Sequence, residues 1–192
     1  MSPEKFISSS IWRAKMKTYF KLMDVDKNEV LTLSDFEEIA NRLIRLQTDS
    51  SKNEKIREMC HSLFQHFIAG GEPVDDNTQI TEEELITKVA KTVAEASDEV
   101  LQAGRHKNEI FFDIIDTDHS GEISREEYRK YLAIYTGVEQ SEQANQAFDS
   151  IDSDKSGSIS REEFVEAHMH YWFETGDDEE SYPLPYGLLV DS

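Results

Sequence analysis

Two twelve-residue stretches in the second half of the chain are near copies of each other. They are DTDHSGEISREE, residues 116–127, and DSDKSGSISREE, residues 152–163, which we call loop 3 and loop 4. Each has oxygen-bearing side chains at positions 1, 3, 5 and 9, glycine at position 6 and glutamate at position 12. Calcium takes six to eight oxygen ligands, and an EF-hand loop supplies them from positions 1, 3, 5, 7, 9 and 12. The repeat therefore predicts two calcium-binding EF-hand loops, each between two helices.

Both loops have a full set of candidate metal ligands. In loop 3 these are Asp116, Asp118, Ser120, the carbonyl of Glu122, Ser124 through a water, and bidentate Glu127; in loop 4 they are Asp152, Asp154, Ser156, the carbonyl of Ser158, Ser160 and Glu163. Serine at position 5, where Asp or Asn is usual, has a shorter reach, so we expect reduced affinity and not loss of the site. The alternative is an acidic surface turn with a helix cap, which does not account for two complete copies.

DVDKNEVLTLSD, residues 24–35, has the same pattern with two faults, and we call it loop 1. Its candidate ligands are Asp24, Asp26, Asn28, the carbonyl of Val30, Thr32 and Asp35. Glu29 stands at the glycine position, where a left-handed backbone costs about 1–2 kcal/mol for a residue with a Cβ. Asp35 is one methylene shorter than glutamate, which favours the six-coordination that magnesium requires. We expect a weaker ion site with less preference for calcium; the alternative is a loop that only maintains the fold.

A fourth candidate, PVDDNTQITEEE at residues 73–84, is degenerate, and we call it loop 2. Pro73 offers no side-chain oxygen at position 1, and Thr78 replaces the glycine. We expect this loop to pair with loop 1, through Ile80 and Leu31, without binding an ion. Four hands then form two pairs, which predicts an N-terminal pair in residues 1–100 and a C-terminal pair with a tail in residues 101–192.

Between the loops, apolar residues recur at helical spacing, whereas strand-like alternation is confined to the loops themselves. Helices are predicted at about 7–23, after a cap at Ser34, at 52–69, after a cap at Thr81, at 125–136, 141–150 and 161–174, with a less regular stretch near 97–107 before a helix that ends in IFFDIID. The predicted class is all-α, a compact four-EF-hand fold with short β-ladders between paired loops.

The charge and the sequence composition exclude several kinds of partner and location. The net charge of −20 would repel nucleic acid and anionic membranes. A single cysteine, Cys60, allows no internal disulfide, and we find neither a secretory signal nor a run long enough to span a membrane. We therefore expect a cytoplasmic protein that is not an enzyme and whose partners are calcium ions; the pattern does not identify a protein partner.

Several features together resemble the sarcoplasmic calcium-binding proteins of invertebrates. They are the opening IWRAKMKTYFKLMDVDK, the long insertion between hands 1 and 2, the degenerate second hand and the YGLLV ending. The resemblance implies a compact cytosolic protein that buffers calcium and magnesium at three sites, in hands 1, 3 and 4. Aspartate at position 12 of the first loop is familiar in that family, whereas Glu29 departs from its pattern.

A second function is suggested by three residues near the C-terminus. The scaffold is shared with the coelenterazine-binding proteins and calcium-triggered photoproteins of cnidarians, and His168, Trp172 and Tyr186 resemble one His–Trp–Tyr set that photoproteins place around coelenterazine. Other such sets are incomplete, because the first helix has no histidine and the only other tryptophan is Trp12. The alternative is thus a coelenterazine-type luciferin-binding protein or a calcium-triggered photoprotein, with a cavity for a small apolar ligand lined by Trp12, His168, Trp172 and Tyr186. An aromatic stripe of this kind is also ordinary helix core.

A third function is a calcium sensor that opens and grips a partner helix. Adaptable target grooves are methionine-rich, and this chain has five methionines including Met1. The composition therefore favours a buffer over a sensor.

Overall fold

The computed structural model describes residues 2–46, 50–137, 141–176, 183–187 and 189. These residues are mostly helical, which confirms the all-α class. They fall into two compact units, one covering the described residues up to Glu95 and the other those from Ala96 to Leu189. Of the helices in this described part, none has both the length and the apolar character that crossing a membrane requires.

The first unit consists of five α-helices and two short helical segments. They are α1 (Pro3–Ser8), α2 (Ser10–Met23), α3 (Leu33–Ile44), a 3-10 turn (Ser50–Lys52), α4 (Asn53–Ser62), a π-helix (Leu63–Ile68) and α5 (Glu82–Ala94). The helix predicted at 7–23 is interrupted at Ser9, whose backbone is extended. The Ser9 hydroxyl accepts a hydrogen bond from the Trp12 amide (3.0 Å), so Ser9 caps a new helix.

The start of α3 differs from the predicted one. Thr32, and not Ser34, is the N-cap, because its hydroxyl and amide both donate to the Asp35 carboxylate (2.8 and 2.9 Å) in a capping box. The predicted cap at Thr81 is confirmed: its hydroxyl accepts the Glu84 amide (3.4 Å). In hands 1 and 2 the residue at position 12 of the loop, Asp35 or Glu84, thus also fixes where the next helix begins.

The second unit has four α-helices and a two-stranded sheet. They are α6 (Asp98–Ile115), β1 (Glu122–Ser124), α7 (Arg125–Thr136), α8 (Ser141–Ile151), β2 (Ser158–Ser160) and α9 (Arg161–Phe173). The irregular stretch expected near 97–107 is wrong, because α6 runs unbroken from its cap at Ser97. Gly104, an unfavourable residue inside a helix, lies where a Cβ would stand 3.4 Å from the sulfur of Met169 on α9. Close helix packing therefore overrides local propensity here.

The loops pair as predicted. β1 and β2 are antiparallel with Ile123 opposite Ile159, and both isoleucines are fully buried. In the first unit Leu31 and Ile80 form a single bridge, in which each amide donates to the other residue's carbonyl with N···O distances of 2.8 and 2.9 Å. Pairing aligns each loop with one neighbour and buries one apolar side chain from each.

The described part of the tail packs on the second unit. The Tyr128 hydroxyl donates to the Pro185 carbonyl (2.5 Å), and the Leu184 amide donates to the Ser150 hydroxyl (3.0 Å). These contacts hold Tyr186 in a buried position. The acidic run at 177–180 and positions 188 and 190 of the YGLLV ending lie outside the described residues.

Candidate metal centres

Three acidic clusters lie in the first, third and fourth loops. They are Asp24, Asp26 and Asp35; Asp116, Asp118 and Glu127; and Asp152, Asp154 and Glu163. Within each cluster one carboxylate oxygen of every residue lies within 4.8 Å of the others. Such a set of converging carboxylate oxygens is the ligand type that calcium and magnesium prefer.

Loop 3 is wrapped around the carboxylate of Asp116, which is buried at the end of α6. One oxygen of Asp116 accepts the Ser120 amide (3.0 Å), and the other accepts the Gly121 amide (2.9 Å). Gly121 has a φ of +89°, a conformation that a residue without Cβ adopts at little cost. The glycine therefore lets the loop close around Asp116, its first predicted ligand.

Glu127 is held at both ends of loop 3. Its Oε1 accepts the Thr117 amide (2.8 Å), and its Oε2 accepts the Ser124 amide (2.9 Å). Burial raises the pKa of Glu127, but hydrogen bonds from Ser124 and Thr117 lower it by more, so the net shift is downward. The carboxylate is thus ionised and fixed in orientation, as a ligand that uses both oxygens requires.

Loop 4 repeats these contacts. Asp152 accepts the amides of Ser156 and Gly157 (both 3.0 Å). Glu163 accepts the amides of Ser153 (3.0 Å) and Ser160 (2.9 Å). Burial raises the pKa of Glu163, and the hydrogen bonds from Ser160 and Ser153 again make the net shift downward.

The serine hydroxyl at position 5 donates a hydrogen bond to the carbonyl at position 7 of the same loop. Ser120 Oγ lies 2.9 Å from the carbonyl oxygen of Glu122, and Ser156 Oγ lies 2.9 Å from that of Ser158. In each loop, therefore, the predicted ligands at positions 5 and 7 are neighbours on one side.

A hydroxyl at position 2 also holds the glutamate, and the ligand pattern does not predict it. The side chains of Thr117 and Ser153 donate to Oε1 of Glu127 and Glu163 (2.9 and 3.0 Å). The signal in the sequence is that both complete loops have a hydroxyl here, whereas loop 1 has Val25. These residues orient the predicted ligand at position 12 without being predicted ligands themselves.

Loop 1 keeps the same conformation despite its two faults. Glu29 has a φ of +67°, and its amide donates to Asp24 (3.0 Å) as Gly121 does to the first ligand of loop 3. Asp35 accepts the amides of Val25 and Thr32 (both 2.9 Å), the pair of contacts that the longer glutamates make. The shorter side chain is thus accommodated, whereas the left-handed Glu29 retains a strain of about 1–2 kcal/mol.

Loop 2 has a different conformation. Thr78, at the glycine position, is not among the residues with positive φ. The Asp75 carboxylate accepts the Asn77 amide and the Thr78 hydroxyl (both 3.0 Å), and Glu84 accepts the Thr81 hydroxyl (2.7 Å). These side chains satisfy their own turn and helix cap, and no acidic cluster forms around them within the described residues.

Three of the four predicted cavity residues come together in the second unit. The rings of His168 and Tyr186 are 5.6 Å apart, edge to face, and Tyr186 shares a hydrogen bond with Trp172. Trp12 belongs to the first unit, where it packs on Phe6 (5.4 Å). His168 Nδ1 donates to the Phe164 carbonyl (2.7 Å), while its buried Nε2 has no hydrogen-bond partner among the described residues.

The buried His168 is expected to make the free energy of unfolding depend on pH. Burial lowers its pKa to about 4, with the hydrogen bond to Phe164 opposing, while an unfolded histidine has a pKa of about 6.5. Between these values the unfolded chain binds a proton that the folded chain does not, so the free energy of unfolding falls as the pH falls. In calcium, we expect His168→Phe to remove a slope of up to about 1.4 kcal/mol per pH unit, measured by denaturant unfolding at pH 7 and pH 5.

The control for this slope is the exposed His61, whose replacement by phenylalanine should leave it unchanged. If His168→Phe retains the slope of the wild type, burial of neutral His168 is not its cause.

Comparisons with known proteins give the same picture of fold and chemistry. The family described as "EF-hand domain pair" matches residues 105–169. A sarcoplasmic calcium-binding protein of Hediste diversicolor is 31% identical over 126 residues, which cover 62% of this chain and 67% of that protein. The calcium-loaded apo form of a coelenterazine-binding protein from Renilla muelleri matches with a TM-score of 0.61 and 25% identity, covering 84% of this chain and 87% of that one. The ctenophore photoprotein berovin, whose three calcium-binding loops all bind magnesium in that structure, matches with a TM-score of 0.64 and 23% identity, covering 83% and 87%.

Proposed function

Because this chain belongs to the sarcoplasmic calcium-binding protein family and is a calcium-binding EF-hand protein, we propose that it is a cytoplasmic Ca²⁺/Mg²⁺ buffer. It has no catalytic role and has three working sites, in loops 1, 3 and 4. The observation that carries this proposal is the repetition of one wrapped loop geometry around three acidic clusters. The name of the Hediste relative places that protein in the sarcoplasm, which supports the cytoplasmic location.

The proposed ligands are those of the predicted loop pattern. They are Asp24, Asp26, Asn28, Val30 and Asp35 in loop 1; Asp116, Asp118, Ser120, Glu122 and Glu127 in loop 3; and Asp152, Asp154, Ser156, Ser158 and Glu163 in loop 4. Loop 1 is the least selective of the three, because its short Asp35 favours the octahedral geometry of magnesium. Magnesium in all three loops of berovin supports mixed Ca²⁺/Mg²⁺ sites.

A buffer is favoured over a sensor by the way the apolar surface is covered. Tyr186 of the tail packs edge to face on Tyr171 (5.0 Å) and is itself buried. Among the described large apolar side chains, Val100 alone is exposed. Sensor EF-hands bind their partners through an apolar groove that opens when calcium binds. In this protein the described apolar side chains are instead covered by packing within the chain.

Calorimetric calcium titration, with and without magnesium, tests the proposal. We expect three calcium ions per chain, with magnesium lowering the apparent calcium affinity, and little change in the binding of a hydrophobic dye. Two ions per chain would remove loop 1 from the proposal. A sharp rise of dye fluorescence with calcium would identify a sensor instead.

Replacing Glu29 by glycine should strengthen loop 1. The ion-bound loop must hold position 6 in the left-handed conformation, whereas the empty loop can leave it. Removing the Cβ therefore lowers the free energy of the bound loop more than that of the empty loop. We expect the affinity of this site to rise about 5- to 30-fold, the equivalent of about 1–2 kcal/mol, in the same titration. Glu29→Gln, which removes the charge and keeps the Cβ, is the matched control. Equal gains in both variants would assign the effect to charge and not to strain.

A second candidate function, the binding of a coelenterazine-type ligand, is favoured by one observation. His168, Trp172 and Tyr186 come together, and the buried Nε2 of His168 offers a polar group that a ligand would satisfy. The Renilla structure is named as a coelenterazine-binding protein. Incubation with coelenterazine tests this function, with His168→Phe as the matched variant. If the protein neither binds coelenterazine tightly nor emits light when calcium is added, this second function is ruled out.

A further inference from the structure

We propose that Arg125 and Arg161 couple the two metal sites of the second unit, each arginine positioning the first ligand of the other loop. Arg125 belongs to loop 3 and Arg161 to loop 4, in both cases at position 10. The inference rests on the proposed function, because it takes both loops to bind calcium.

Arg161 grips the last turn of α6, the helix that leads into loop 3. Its guanidinium lies over the ring of Phe112, 4.3 Å from the centroid, and Nη2 donates to Asp113 (2.7 Å). Nη1 donates to the carbonyl of Glu109 (3.3 Å). The carbonyl of Phe112 in turn accepts the amide of Asp116 (2.9 Å), the first predicted ligand of loop 3. An arginine of loop 4 thus fixes the turn from which the first ligand of loop 3 projects.

Arg125 makes the reciprocal set of contacts with α8, the helix that leads into loop 4. Its guanidinium lies 4.1 Å from the ring centroid of Phe148, and Nη2 donates to Asp149 (2.7 Å). Nη1 donates to the carbonyl of Asn145 (3.5 Å). The carbonyl of Phe148 accepts the amide of Asp152 (2.9 Å), the first predicted ligand of loop 4.

Each arginine also stands next to the last ligand of its own loop. It is the first residue of the outgoing helix, directly after the capping serine and two residues before Glu127 or Glu163. The arginine therefore links, through its backbone and its guanidinium, the segment that carries position 12 of its own loop with the helix turn that precedes position 1 of the other loop. An ion that fixes the position of the first turn of α9 therefore also fixes the last turn of α6. In the same way, an ion that fixes the first turn of α7 also fixes the last turn of α8. Such a coupling is reciprocal by linkage.

The contacts are stronger than those of an ordinary surface ion pair. The two arginines are partly exposed, and an isolated pair at such a site contributes little. Here a stacked ring and a backbone carbonyl act together with the carboxylate. The same three contacts occur at equivalent positions in both hands, whereas the first unit has Leu33 and Glu82 at position 10. Coupling by this device is therefore expected in the second unit only.

The device is separate from the β-ladder. β1 and β2 join positions 7 to 9 of the two loops, with an added hydrogen bond from the Ser158 hydroxyl to the Glu122 carboxylate (2.6 Å). Replacing either arginine leaves these contacts in place, so the two routes are distinguishable by mutation.

Site-resolved calcium titration by NMR of the full chain tests the proposal. The amides of Gly121 and Gly157 donate to the first ligand of their own loops, so each reports one site. We expect Arg161→Gln to weaken binding reported by Gly121 about three- to tenfold, and Arg125→Gln to do the same at Gly157. Arg161→Lys, which keeps the charge but loses the stacked plane, should give an intermediate loss.

Arg129→Gln is the matched control, because Arg129 pairs only with Glu126 of its own helix among its described contacts, and it should shift neither site. Effects confined to the loop that carries the mutation, or absent from both, would overturn the proposal. In the wild type, glycine signals that do not respond to calcium would instead show that the proposed sites fail. Melting temperatures in chelator, equal for the two glutamine variants and the control, exclude general destabilisation as the cause.

Discussion

In excess chelator this protein is expected to melt about 15–30 °C lower than in calcium that saturates all three proposed sites. A ligand at about 100 times its dissociation constant stabilises the folded state by about 2.7 kcal/mol for each site, and each kcal/mol shifts the melting temperature of a chain of this size by about 2–4 °C. Without ions, the carboxylates within each of the three acidic clusters repel one another. Three divalent ions would relieve this repulsion and change the net charge of the chain from −20 to about −14. Calorimetric or circular dichroism melts with and without chelator measure the effect.

High salt separates the two contributions to this shift. If 1 M NaCl in chelator restores the melting temperature as fully as calcium does, screening of charge is sufficient and specific sites are not needed. Magnesium should restore part of the shift if the sites are mixed. An unchanged melting temperature in chelator would contradict ion-dependent folding altogether.

The second large effect is expected from Glu163→Gln, which should reduce the number of bound calcium ions by one. Glutamine keeps the size of the side chain but loses its charge. Its NH₂ group replaces one of the two oxygens that now accept the amides of Ser153 and Ser160, so one of these two hydrogen bonds is lost as well. We expect the affinity of loop 4 to fall at least about 100-fold, below detection in a calorimetric titration that still shows the other sites.

Glu162→Gln is the control for charge, because Glu162 is the exposed neighbour at position 11 and makes no predicted ligand contact. It should leave the count unchanged. Three ions bound by Glu163→Gln would refute the assignment of this ligand. Asp24→Ala applies the same count to loop 1, and an unchanged number of ions there would exclude that loop as a site.

Spacing within a loop predicts which acidic side chains come together, because the members of each cluster lie within twelve residues of one another. The pairing of Leu31 with Ile80 followed from the same register. Thr32 caps α3 in place of the predicted Ser34 because its hydroxyl and amide both bond to Asp35, a contact that moves the start of the helix two residues earlier. The continuous α6 was missed because Gly104 is favourable only against Met169, far along the chain.

The residues that hold the ligands in place are less visible in the sequence. Thr117 and Ser153 differ from Val25 in a way that alignment of the loops shows, yet their role depends on where the glutamate carboxylate points. The contacts of Arg125 and Arg161 join one hand to the other. A pattern read within one hand cannot reveal them, since packing between hands sets the partner.

The left-handed backbone at Glu29 also affects how easily the ion affinity of loop 1 can change during evolution. Glutamate and glycine codons differ by a single nucleotide, so the strained position lies one mutational step from the unstrained residue of loops 3 and 4. Loop 2 is further away, because Pro73 and Thr78 both need replacement and its turn already has its own hydrogen bonds. Of the two imperfect loops, therefore, loop 1 can gain ion affinity through a single point mutation, whereas loop 2 needs several substitutions before it could bind an ion.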